Sequence, residues 1–122
     1  MAVLVDTGSY SVSGIDLIVH FDPKVLEAAS GSLVKGKILD EYPYLSVDSK
    51  KGLISISGIS SSKNNFTGTG QFALINFKSK LPGKTSLSID FKPGSTTASN
   101  LVDVATSKNI LEQVNNLELN IQ

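Results

Sequence analysis

His20 is the one histidine in the chain, so any Ser-His-Asp relay would have to run through it. It stands in an alternating run one residue before Phe21, and no Gly-x-Ser-x-Gly elbow occurs to present a nucleophile. His20 therefore reads as a surface histidine on a binding face. A metal site would need clustered ligands. Asp40-Glu41 and Asp48 are close in sequence, Asp90 and Asp103 are scattered, and none forms an Asp-x-Asp-x-Asp-Gly loop. Zinc would find one histidine and no thiolate, so no metal and no cofactor are expected; a calcium bridged by loop carboxylates is the alternative left open. Glycoside hydrolysis would need two acids across an aromatic-lined cleft, yet the chain has no Trp and only Tyr10, Tyr42 and Tyr44. Tyr42-Pro43-Tyr44 is the local candidate for carbohydrate contact, through ring faces laid against a sugar. The competing reading has both rings capping the end of the fold. Asn65-Phe66-Thr67 matches a glycosylation pattern and reads as an exposed loop, while Gly68-x-Gly70 lacks the strand–helix setting of a phosphate cradle. An enzyme is not expected.

Composition narrows the partners. The chain has 122 residues, 40% hydrophobic and 18% charged, enough apolar material for one folded domain spanning 1–122. Eleven lysines balance eleven acids, and arginine is absent. With no excess positive charge to neutralise phosphates, nucleic acid is not an expected partner. No apolar run approaches the roughly 20 residues that span a bilayer, so membrane insertion is not expected either. The absence of cysteine removes disulfides and thiolate chemistry.

Candidate residues have to be carried on strands. Ile15, Leu17, Val19 and Phe21 alternate with Asp16, Ile18 and His20. Leu53–Ile59 sets Ile54 and Ile56 against Ser55 and Ser57. Thr85–Phe91 sets Leu87, Ile89 and Phe91 against Ser86, Ser88 and Asp90, and 117–122 alternates Leu117, Leu119 and Ile121 with polar residues. Gln71–Ser79 places Ala73, Ile75 and Phe77 on one side, with Phe72 and Leu74 on the other. Lys50-Lys51-Gly52 and Leu81-Pro82-Gly83-Lys84 read as turns, and 60–70 and 92–100 as polar loops. Lys24–Tyr44 can be strand or helical turn, and Ser107–Val114 is expected to form one helical turn. Short strands with such punctuation predict an all-β, antiparallel sandwich of about eight or nine strands. Its expected core is Ile15, Leu17, Val19, Phe21, Ile54, Ile56, Ile75, Phe77, Leu87, Ile89, Phe91, Leu117 and Leu119.

The run Gly14–Glu27, with Phe21-Asp22-Pro23-Lys24-Val25-Leu26-Glu27, resembles the cohesin family. Gly52–Gly58, Thr69-Gly70-Gln71-Phe72-Ala73-Leu74-Ile75-Asn76-Phe77-Lys78 and Phe91–Thr97 continue the resemblance, which spans about Val5 to the C-terminus. It implies a jelly-roll sandwich related to carbohydrate-binding modules. In cellulosomes such domains bind the calcium-loaded dockerins of enzymes. It also implies an extracellular or cell-surface setting within a larger bacterial protein, in polysaccharide degradation. On this likeness the binding face comprises Asp16, Ile18, His20, Ser55, Ser57, Ser86, Ser88 and Asp90. Of two family contact positions, Gly14 stands where the family has Asn, and Asp16 matches the Asp.

The resemblance further implies that the chain enters partway along the family's second strand, leaving a vacant N-terminal edge. Strand exchange or a homodimer through that edge is the accompanying expectation. The function expected is a noncatalytic protein-interaction module with a dockerin-like or other protein partner. The alternatives are a carbohydrate-binding module of related jelly-roll fold and a structural spacer of a surface protein.

Overall fold

The computed structural model describes residues 1–61, 65–95 and 97–121. Eleven strands form among them: β1 (Ala2–Asp6), β2 (Val12–His20), β3 (Leu26–Glu27), β4 (Leu33–Lys35), β5 (Glu41–Asp48), β6 (Leu53–Ile59), β7 (Thr69–Ile75), β8 (Lys78–Ser79), β9 (Gly83–Ile89), β10 (Asn100–Asp103) and β11 (Leu117–Ile121). A 3-10 turn, Ser30–Ser32, precedes β4. All pairings are antiparallel. The larger sheet runs β11-β9-β2-β6-β5, with β10 also on β2; the smaller runs β1-β7-β4; β3 and β8 make a ribbon.

The two sheets hide their alternate apolar side chains against each other. Val3, Leu33, Phe72 and Ile75 from the smaller sheet share one core with Ile15, Leu17, Val19, Ile54, Ile56, Leu87 and Leu101 from the larger. The Asp48–Gly52 turn sets the register of β5 on β6. Asp48 Oδ1 accepts the N–H groups of Lys50 and Lys51, and Gly52 takes φ 70°. A Cβ at Gly52 would collide with the Phe21 carbonyl, so only glycine fits there.

Three bulges break the simple alternation. Val3 pairs Ala73 and Leu4 pairs Gln71, so Phe72 is an extra residue in β7. That kink turns both Phe72 and Ala73 into the core, which corrects the expectation that Phe72 faces away from Ala73. A second bulge lies in β5, between Glu41 and Tyr44, and admits Pro43 on an edge strand. The third is in β2, where Asp103 pairs Val12 and Val102 pairs Gly14; it lets Val12 and Ile15 both point inward.

Other expectations need correction. Gln71–Ser79 is not one strand, since β7 ends at Ile75 and β8 turns away to pair with β3. Phe77, Ile89, Phe91 and Leu119 are half-buried, and Leu117 is 40% exposed because β11 is an edge strand. Ser107–Val114 forms no helical turn. Ser107 adopts φ 57° and donates its N–H to Asp103 O at 2.8 Å, which closes a turn and breaks helical geometry. The uncertain Lys24–Tyr44 segment resolves into β3, the 3-10 turn, β4 and the start of β5. Part of the 60–70 loop, residues 62–64, lies outside the described residues.

Candidate functional site

β2, β5, β6 and β9 give alternate side chains to the core and the others to solvent, so register decides which residues share the outer surface. Tyr44 pairs Ser57, which pairs Asp16. Ser46, Ser55 and Ile18 form the next row, and Asp48, Leu53 and His20 the one after, with Ser88 beside His20. Ser86 lies further along β9, opposite Glu118. Asp90 follows β9 and donates its N–H to Ile18 O at 2.9 Å. All eight residues expected on the face therefore lie on one side of the larger sheet.

The middle of this surface is tied down at Ile18. β10 covers one edge of β2 as far as Asp16, and β9 takes over at Val19. Ile18 sits in the seam between them. Its N–H donates to Ser99 Oγ at 2.9 Å, and its carbonyl accepts the Asp90 N–H. Ser99 is fully buried, so its hydroxyl takes the place of a missing strand partner. Beside it, Asn100 Nδ2 donates to Asp16 Oδ2 and to Ala98 O, both at 3.1 Å, which fixes the Asp16 carboxylate. Asn100 Oδ1 is buried without a partner among the described residues.

His20 Nε2 meets Asp90 Oδ1 at 2.6 Å, with both side chains nearly half exposed. A pair so open to water is worth about 0–1 kcal/mol and orients the imidazole more than it stabilises the fold. No serine, threonine or lysine side chain is hydrogen-bonded to this imidazole among the described residues. No group of three or more metal-ligating side chains occurs among the described residues.

Tyr42 and Tyr44 are separated by the β5 bulge. Tyr44 points outward and is 55% exposed. Tyr42 turns inward, its ring 5.2 Å from that of Phe72, and its Oη donates to Phe72 O at 2.6 Å. Gly58 leaves room for this packing, since a Cβ there would meet Leu39 at 2.7 Å and Phe72 at 2.9 Å. Burial raises the Tyr42 pKa above its usual 10.0, with a hydrogen bond from the Gly36 backbone acting the other way. The two tyrosines thus make no shared ring platform.

Sequence reasoning missed part of the surface. Leu53 and Ile59 have the same parity as Ser55 and Ser57, a signal legible in the alternation. Ser46 and Asp48 were not among the expected residues, and Tyr44 was expected only as a carbohydrate contact, because Pro43 and the bulge mask the alternation of β5. Tyr44 adds an aromatic side chain to this face. The surface joins Tyr44, Ile18, Leu53 and Ile59 with short hydroxyls and the carboxylates of Asp16, Asp48 and Asp90, a mixture suited to close contact with another protein.

The cohesin-domain family model matches residues 2–117. The chain belongs to the cohesin family. Cohesin domains are noncatalytic protein-interaction modules, and this cohesin has the family's antiparallel jelly-roll sandwich. It is similar to a type II cohesin from the cellulosome of Acetivibrio cellulolyticus, with TM-score 0.78 and 19% identity over 98% of this chain and 83% of that one. It is also similar to the third cohesin of ScaC from the same organism, solved in complex with the ScaB dockerin. There the TM-score is 0.75 and the identity 15%, over 99% and 89% of the two chains. A Clostridium thermocellum cohesin, solved as the Coh-OlpC–Doc435 complex, gives TM-score 0.72 and 14% identity over 97% and 82%. At these identities the likeness is one of fold. No curated protein matches the chain.

Proposed function

We propose that this cohesin domain docks a dockerin-type protein partner through the outer face of the larger sheet, as one module of a larger extracellular or cell-surface protein. The observation that carries the reading is the level array around Ile18. An apolar side chain stands between Asp16 and His20, is backed by Ser55 and Ser57, and its backbone is held by Ser99 and Asp90. Short serine side chains bring a partner close to the sheet with little loss of side-chain entropy on binding. Tyr44 supplies a large amphipathic contact at the β5 side.

The reading carries a specific departure from the family. Gly14 replaces the Asn and pairs with Ile59, so that end of the face offers apolar surface where an amide would otherwise reach out. A partner matched to this cohesin presents an apolar group there. The carbohydrate-binding alternative draws no support from Tyr42, whose ring and hydroxyl are both engaged by Phe72.

Titration calorimetry against a panel of calcium-loaded dockerins tests the proposal. At least one should bind, and Ile18→Asp should weaken it by about 2 kcal/mol or more, the scale of an interface hot spot. Undiminished binding by a folded Ile18→Asp variant would move the site off this face.

A further inference from the structure

Asn100 sits under the docking face rather than on it. It pairs with Asp16 in the β10–β2 ladder, so the two side chains project from the same side of the larger sheet. Asp16 is half-buried, whereas Asn100 is only 4% exposed, so a protein laid on the face reaches the carboxylate and not the amide. The orientation of that amide is fixed by its neighbours. Nδ2 donates to Asp16 Oδ2 and to Ala98 O, and turning the amide over would set Oδ1 against both oxygens. The arrangement leaves Oδ1 buried without a partner among the described residues. An apolar side chain of the same size would strand no acceptor there, so filling space does not account for an asparagine at this position.

The two donor bonds are braced from behind. Ala98 N–H donates to Ser95 Oγ at 3.2 Å, and Ser95 O accepts Asn109 Nδ2 at 2.8 Å. Asn109 Oδ1 in turn accepts the N–H groups of Leu101 and Leu111 at 3.2 and 2.9 Å. A line of hydrogen bonds thus runs from Asn109 through Ser95, Ala98 and Asn100 and ends on Asp16 Oδ2. Asp16 Oδ1 takes no bond among the described residues and is the oxygen left for an incoming donor.

We infer, resting on the docking reading above, that Asn100 is a positioning and specificity-determining residue that acts through Asp16 without touching the partner. It holds one carboxylate oxygen so that the other keeps a fixed direction beside Ile18. A partner with an N–H or O–H donor at that spot binds without first ordering the carboxylate. A partner that lacks the donor buries a charge that cannot swing away toward water. Asn100 therefore selects among partners as well as strengthening the matched one.

The test is calorimetry of a panel of calcium-loaded dockerins against the native domain, Asp16→Ala, Asn100→Leu and the double variant. For the tightest binder, Asp16→Ala should weaken affinity about tenfold or more, and Asn100→Leu about three- to tenfold. The double variant should bind no more weakly than Asp16→Ala alone, because the amide acts only through that carboxylate. Asn100→Leu should also narrow the spread of affinities across the panel. Losses that multiply in the double variant would overturn the positioning role, since a merely structural asparagine gives that result. If Asn100→Leu fails to fold, Asn100→Asp, of nearly the same shape, replaces it. Two carboxylates then face each other, so affinity should drop at about pH 7 and recover toward about pH 5, as the pair takes up a shared proton that restores a hydrogen bond. A loss that stays constant over that range would overturn the positioning role. Binding weakened by Asp16→Ala but untouched in a folded Asn100→Leu overturns that role alone. A panel in which nothing binds, or an Asp16→Ala variant that binds like the native domain, overturns the docking reading at this carboxylate and the positioning role with it.

Discussion

Tyr42 Oη donates to the carbonyl of Phe72 at 2.6 Å, and the two rings pack 5.2 Å apart, which joins the β5 bulge to the β7 bulge across the sandwich. The Phe72 carbonyl also accepts the Gly36 N–H at 2.9 Å, so it keeps one partner if the phenol is removed. Tyr42→Phe should therefore cost only about 0.5–1.5 kcal/mol by urea denaturation, the net worth of one hydrogen bond rather than of an orphaned carbonyl.

The same burial sets a pH dependence. The Tyr42 pKa is raised in the folded state above the 10.0 of an open phenol. Between those two values the unfolded chain has lost the proton and the folded chain has kept it, so stability falls as pH rises above about 10. Below that pH the contribution is intact. The difference in stability between the native chain and Tyr42→Phe should shrink on alkaline titration, and a constant difference from pH 8 to 11 would contradict the burial.

Ser99 is the residue on which the docking face rests. Ser99→Ala removes the partner of the part-buried Ile18 N–H, which should cost about 1–3 kcal/mol. Amide exchange at Ile18 should accelerate more than at Val19, whose N–H alternates to the opposite side of β2, toward β6. Equal effects at both amides would mean that the seam is closed by some other contact.

Core truncations should separate two phenylalanines. Phe72 is almost wholly buried, and Phe72→Ala should cost about 3–5 kcal/mol. Phe77 is only partly buried, with an edge-on contact to Phe21 at 5.5 Å, and its truncation should cost about 1–3 kcal/mol. Thermal denaturation of the two variants checks the order; the reverse order would place the β7 bulge wrongly.

The strands that frame the face were legible because burial on one side imposes period 2. Ile15–Val19 and Leu53–Ile59 alternate without exception, and the turn at Gly52 marks where one hairpin closes. What escaped was set by pairing between distant segments. Nothing local in Gln71-Phe72-Ala73 announces that β1 skips Phe72, and nothing in Tyr42-Pro43-Tyr44 reveals that an extra residue sends one ring inward and the other outward. Ser99 escaped for the same reason, since its role arises where β9 succeeds β10 beside β2. The helical turn expected over Ser107–Val114 failed because its carbonyls and amides are spent on β10: Asp103 N–H donates to Lys108 O, and Ile110 N–H to Leu101 O, both at 2.9 Å.

The docking account is tested most directly by mapping amide and methyl chemical shifts of the labelled domain as a calcium-loaded dockerin that binds it is added. The account expects the perturbations to centre on Ile18 and spread to Ser55, Ser57, Leu53, Tyr44 and His20, with β7 and β4 silent. Perturbations centred on β1 and the 110–115 segment, with Ile18 unmoved, would contradict it.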